Sequence, residues 1–248
     1  MSTVLDVYNA IDDIAPFELA QKSDNVGILL GDKKAVIKKV LLTLDVTVDT
    51  VKEACDTSCQ LILTHHPIIY APIKGIYADS PLYHAAQAAL NVISAHTNID
   101  IAEGGLNDML ADLLGLRNTS PLEIGRIGKM PKAYTSLDLA MYVKDRFRCR
   151  GVRFVSCDKS IKKVAICSGG GGEFLEEAVE KGADAFVTAD IKYHHMLYAK
   201  EKNIALIDAG HFNTEIILMP ILKSLLENIF GDVEFILSKS CVDPIEYI

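Results

Sequence analysis

One order of elements is written twice along this chain, and it limits the fold more than anything else in the sequence. Lys38 to Asp45 reads as a buried strand, Thr50 to Ala54 opens a helix, and Leu61 to Thr64 gives a second strand. Pro81 to Leu90 has helical character, and Asn91 to Ala95 is a third apolar run. The second half repeats this: Lys162 to Cys167, helical period over Glu173 to Lys181, Ala185 to Thr188, a helix over Met196 to Glu201, and Ile204 to Ile207. Repeated strand–helix–strand units imply parallel strands, right-handed crossovers and functional sites at the carboxyl ends of the strands. The expected class is therefore α/β, with two related halves produced by internal duplication. The halves are placed at 1–122 and 123–248, with the C-terminal end able to pack back on the first. A loop or hairpin over Asn118–Pro121 and Gly125–Lys132 connects them.

The strand ends carry the chemistry. His65-His66 closes the run Leu61 to Thr64, and Pro67 follows, which cannot donate to a ladder and disfavours helix at His66. Imidazole is the commonest metal ligand, and two side by side invite two ions. An isolated His-His is equally well a pair of loop histidines. Two further strand-like runs change the balance, one ending in His96-x-x-x-Asp100 and the other in His211-x-x-x-Glu215. If each acidic residue begins a helix just after its strand, histidine and carboxylate sit on neighbouring turns and can face one cavity.

Composition excludes more than it selects. At 248 residues the chain can bury a sizeable core, as one large α/β domain or two small ones. No run approaches the roughly 18 apolar residues of a membrane span, and Met1 to Asp6 lacks the features of a signal peptide. The six cysteines, at 55, 59, 149, 157, 167 and 241, form no CxxC pair; Cys55 and Cys59 are read as small core residues. A cytoplasmic setting is expected. The net charge of −8 argues against a broad nucleic-acid-binding face.

Ser168-Gly169-Gly170-Gly171-Gly172 resembles a phosphate loop but lacks the Lys and Ser/Thr of a Walker A motif, and the dinucleotide pattern fails at Phe174-Leu175. A tight strand-to-helix turn is preferred; turned toward metals, it would hold a substrate phosphate or carboxylate. Asp190, Lys192, His194 and His195 occupy the place in the second half that His65-His66 holds in the first, and are assigned to a pocket wall. His84 is read as a surface or packing histidine.

Together these residues resemble the Nif-three-like dinuclear metal-centre family, catalogued as GTP cyclohydrolase I type 2 homologues. The resemblance runs through Asp24-Asn25-Val26-Gly27-Ile28, Thr64-His65-His66-Pro67, Ala95 to Asp100, Gly104 to Asp108, Thr188 to His194 and Gly210 to Glu215. Ser23 departs from the aromatic residue common before Asp-Asn, a change that concerns packing near the N-terminus. The chain resembles the short form, with no extra domain between the halves. The resemblance implies a pocket between the two halves holding two divalent metals, with His65, His66, Asp100, His211 and Glu215 as ligands. His96 would line the pocket. It also implies a homo-oligomer, a hexameric toroid built from dimers.

Three imidazoles and two carboxylates suit Zn²⁺, Fe²⁺ or Mn²⁺ and are too nitrogen-rich for Ca²⁺. Five ligands cannot saturate two ions, which leaves positions for water, as in catalytic sites. The leading expectation is a metal-dependent hydrolase acting on a nucleotide, pterin-like or phosphoester substrate. Its alternative is a non-enzymatic metal scaffold, metal carrier or regulatory interaction protein. No organic cofactor is expected. Catalytic residues are not assigned, and His96, Asp190, Lys192 and His194 are the pocket candidates.

Overall fold

The computed structural model describes residues 1–248. In chain order its main elements are α1 (Val4–Ile14), β1 (Gly27–Leu30), β2 (Lys39–Thr43), α2 (Val48–Asp56), β3 (Leu61–Thr64), α3 (Pro81–Gln87), β4 (Asn91–Ser94) and α4 (Thr97–Ile101). There follow α5 (Leu106–Leu114), β5 (Arg117–Pro121), β6 (Arg126–Tyr134), α6 (Ser136–Arg146), β7 (Arg153–Val155), β8 (Ile161–Ile166), α7 (Leu175–Glu180) and β9 (Ala185–Thr188). The last are α8 (Tyr193–Glu201), β10 (Ala205–Asp208), α9 (His211–Glu215), α10 (Leu218–Ile229) and β11 (Glu234–Leu237). This is a mixed α/β fold with two sheets. None of its helices is long and apolar enough to cross a membrane.

The chain divides into two compact units. One is Met1–Ala102 with Leu218–Val242; the other is Glu103–Ile217 with Asp243–Ile248. The connection at residues 118–132 is a hairpin, β5 pairing antiparallel with β6 inside the second unit. The cut placed after residue 122 therefore falls within that hairpin.

In the first unit the sheet order is β1-β4-β3-β2-β11. β2, β3 and β4 run parallel, as two crossovers through α2 and α3 require. β11 adds parallel to β2, and β1 closes the other edge antiparallel to β4. β3 and β4 are buried at every position, which explains their unbroken apolar sequences. Leu41, Val51, Ala54, Ile62, Ala85 and Val92 meet in one core cluster, so α2 and α3 pack on the same strands. α2 starts at Thr47, whose side chain caps Thr50, and α3 starts at Ser80 with Pro81 in its first turn.

The register aligns Thr43 with Thr64 and Thr64 with Ser94. Three parallel strands therefore end level, and the residues that follow them emerge on one edge: Asp45, then His65-His66, then His96. Backbone pairing continues one step further, with His65 N donating to the Thr43 carbonyl and His66 N to that of Leu44. The Thr64 hydroxyl donates to the Leu44 carbonyl as well. Pro67 ends the ladder.

The second unit's sheet runs β5-β6-β8-β9-β10-β7, with β8, β9 and β10 parallel. Their carboxyl ends release the glycine-rich turn, Asp190 and the Ala209-Gly210-His211 segment respectively. The second edge strand, β7, is antiparallel to β10. Cys59 is buried as expected. Cys55 is exposed, because it lies on the solvent face of α2 rather than in the core.

Candidate metal centre

In the first unit three imidazoles gather at the strand ends. Ring centroids are 5.1 Å apart for His65–His66 and for His65–His96, and 5.5 Å for His66–His96. One ring nitrogen from each lies within 4.8 Å of the others. His96 is thus as close to the pair as the two are to each other.

The partners of these rings decide which nitrogen is available. His65 is fully buried, and its Nδ1 lies 2.8 Å from the Ala95 carbonyl oxygen. A carbonyl oxygen only accepts, so Nδ1 carries a proton and the ring is oriented with Nε2 on its other side. That Nε2 faces Asp100 Oδ1 at 3.8 Å. His66 Nδ1 lies 2.8 Å from Asp45 Oδ1, and His96 Nδ1 lies 3.0 Å from both oxygens of Asp24. A ring nitrogen fixed on a carboxylate or carbonyl, with the other left for a cation, is the usual arrangement around a metal-ligating histidine.

Asp24 also accepts from the Thr97 amide at 3.1 Å and the Thr97 hydroxyl at 2.6 Å. It therefore serves the free amide end of α4, the short helix that carries Asp100. Burial pushes its carboxyl up, but the His96 and Thr97 hydrogen bonds outweigh this and hold it well below the usual carboxylate range.

His96 is the residue before the first turn of α4 and turns to Asp24, while Asp100 on the next turn faces His65. In α9 His211 Nε2 and Glu215 Oε1 are 3.0 Å apart, one turn from each other. His211 Nδ1 meets Asp190 Oδ2 at 2.7 Å. Burial pushes the His211 imidazole down, but hydrogen bonds to Glu215 and Asp190 and their charges raise it to about 9. In the metal-free chain at neutral pH it is an imidazolium clamped between two carboxylates.

The glycine-rich segment is a turn packed against this pair. Gly169 has φ +55°, and a Cβ there would lie 2.3 Å from Glu215 Oε1 and 3.1 Å from His211 Nε2. Its amide donates to the Thr214 hydroxyl at 3.0 Å, and the Gly171 amide to the Thr188 hydroxyl at 2.9 Å. Asn107 holds Ser168 at both its amide and its hydroxyl. The amides of Ser168, Gly169 and Gly171 within the turn are thus committed to side chains. Gly172 closes over His195, whose buried Nδ1 has no hydrogen-bond partner; burial lowers the pKa of that ring.

Of the pocket candidates in the second unit, Asp190 is brought to His211, while Lys192 and His194 stand exposed at the start of α8. The sequence reading missed Asp45 as a partner of His66 and did not give Asp24 its role. The position of Asp45, at the end of the strand next to His65-His66, was the available signal.

The chemistry of these donors fits a divalent transition metal: imidazoles oriented through Nδ1, with carboxylates beside them. Two α/β units with histidines and carboxylates at the carboxyl ends of parallel strands define the class of protein. The family model for Duf34/NIF3 (NGG1p interacting factor 3) matches residues 2–244, and the chain belongs to that family. A Clostridium perfringens relative named GTP cyclohydrolase 1 type 2 homolog is 37% identical over 258 residues, covering 98% of each chain. A relative of the same name from Clostridium acetobutylicum is 34% identical, again over 98% of each. The crystal structure of a Staphylococcus aureus hypothetical protein is similar at TM-score 0.90 and 30% identity, covering 99% of each chain.

Proposed function

We propose that His65, His66, Asp100, His211 and Glu215 hold two divalent transition-metal ions per chain, of Zn²⁺, Fe²⁺ or Mn²⁺ type, and that the protein is a metal-dependent hydrolase. The observation that carries this is at His65. Its Nδ1 donates to the Ala95 carbonyl, which turns Nε2 toward the Asp100 carboxylate at 3.8 Å in a buried setting, within one cluster of ring nitrogens shared with His66 and His96. Imidazole nitrogens and a carboxylate gathered in this way would suit a divalent transition cation. His211 and Glu215 form the other donor pair, which would hold a cation through Nε2 and the carboxylate with Nε2 deprotonated.

When bound, such ions supply Lewis acidity, polarising an electrophile and making water a nucleophile near pH 7. The chain's own residues do the orienting. Asp45 and Asp190 lock the His66 and His211 rings, Asp24 locks His96, and Gly169 admits the Glu215 carboxylate where any side chain would collide with it. His96 lines the pocket and is placed to accept or return a proton at Nε2.

The substrate class is a nucleotide, a pterin-like compound or a phosphoester, in keeping with the names of the relatives. The recurrence of three level parallel strands in each unit supports an internal duplication, and a hexameric toroid is the proposed assembly. The test is a panel of nucleoside triphosphates, pterin phosphates and simple phosphoesters, assayed against protein of graded metal content. Turnover of one compound that rises with metal content is expected. Metal binding without turnover across the panel would replace the enzyme reading with that of a metal scaffold or carrier.

A further inference from the structure

We propose that Tyr70 is the stacking platform for the planar heterocycle of the substrate, a purine or pterin ring, at the histidine cluster. This rests on the nucleotide or pterin reading above and adds a residue that selects the base. Tyr70 lies beyond Pro67, beside the first unit's imidazoles: its ring centroid is 6.3 Å from that of His96, at 73°. In that edge-to-face arrangement the ring is not covered by a parallel neighbour, and the residue is 70% exposed.

An aromatic ring left this open is informative only when the chain holds it there, and here it does. Two residues before it, Ile68 packs on the core cluster of β2, β3 and α2. One residue before it, the Ile69 carbonyl accepts from Asn25 Nδ2 at 2.6 Å. Pro67 and Pro72 restrict the backbone on either side. Tyr70 is thus anchored at its base and open at its face, so a flat ligand can stack without first ordering a loop. A heterocycle stacked on Tyr70 would lie beside His96 and the imidazoles next to it. Stacking on an aromatic side chain is tolerant of ring substituents and is worth about tenfold or more in affinity per base.

The test measures equilibrium binding of GTP and of inorganic tripolyphosphate to the metal-loaded protein, wild type and variant. Wild type should bind GTP more tightly than tripolyphosphate. Tyr70→Ala should weaken GTP about tenfold and leave tripolyphosphate unchanged, and Tyr70→Phe should keep most of the GTP affinity. Because the side chain is exposed, neither substitution disturbs folding, and an unchanged melting temperature checks this. GTP affinity unaltered in Tyr70→Ala overturns the proposal and leaves the hydrolase reading standing. Equal binding of GTP and tripolyphosphate by wild type also overturns it, since the base then contributes nothing. If metal-loaded wild type binds neither, the nucleotide reading fails and the role of Tyr70 with it.

Discussion

His65 Nδ1 donates to the carbonyl of Ala95 across 2.8 Å, and that single bond orients a fully buried imidazole with its Nε2 toward Asp100. The acceptor is backbone, so substitution cannot remove it. The parallel pairing of β3 with β4 puts it there, with Thr64 opposite Ser94 and Ala95 one residue on. The fold thus orients the ring. At His66 and His211 the same task falls to side chains, Asp45 and Asp190, which makes it open to mutation.

Asp45→Asn should lower metal affinity about 10–100-fold, the usual cost of losing a partner that orients a ligand. The asparagine can still accept at Oδ1 but without charge, so the ring is held less firmly. Asp45 is exposed, and the melting temperature of the metal-free protein should hardly move. Calorimetric titration of metal into wild type and variant checks this; equal affinities would mean that His66 is not a ligand.

Gly169→Ala should damage the second donor pair from the other side. A Cβ at this position meets Glu215 Oε1 at 2.3 Å, and φ of +55° adds a backbone cost of about 1–2 kcal/mol. The expected outcome is a modest fall in melting temperature with a larger loss of metal affinity. Gly231→Ala serves as control, because nothing lies within 4 Å of its added Cβ. If both variants bound metal like wild type, the turn would have no part in holding Glu215.

Glu53 gives a pH prediction remote from the site. Its carboxylate accepts from the Ser238 hydroxyl at 2.6 Å and from the Lys239 and Ser240 amides at 2.8 and 3.0 Å. It so ties α2 to the segment after β11. Burial pushes its carboxyl up, but these hydrogen bonds prevail and lower it from 4.5. A group depressed in the folded state stabilises above its unfolded pKa and loses that stability as pH falls through the folded value. Glu53→Gln should therefore cost about 1 kcal/mol at pH 7, allowing for solvent screening, with the difference from wild type shrinking below pH 4.5. Denaturant midpoints for both proteins between pH 3 and 7 decide it. A constant difference would rule out the carboxylate charge as the cause.

The parts of this fold that were legible in the sequence are those with local causes. β3 and β9 are read with their observed ends, and β4 and β10 to within a residue, because strands buried on both faces appear as short apolar runs. The one-turn helix carrying His211 and Glu215 followed from their spacing. What stayed hidden depends on distance along the chain. β11 joins β2 from nearly 200 residues away, and β7 is a three-residue edge strand with two exposed positions. No periodicity reports such pairings. α1 was more accessible, since Thr3 and Asp6 form a capping box. At the site, donors adjacent in sequence were found, whereas Asp24 and Asp45 were not given their roles. They reach the histidines only once β2, β3 and β4 are aligned and the segment before β1 is folded back.

The central claim is a pair of metal ions held by five side chains, and stoichiometry tests it most directly. Protein stripped of metal and titrated with Zn²⁺ or Mn²⁺, with bound metal measured by elemental analysis, should saturate at two ions per chain. Glu215→Gln should weaken both sites together, because it removes charge without changing size, whereas His65→Ala should mainly empty one. Saturation of the wild-type chain at one ion or fewer would contradict the account.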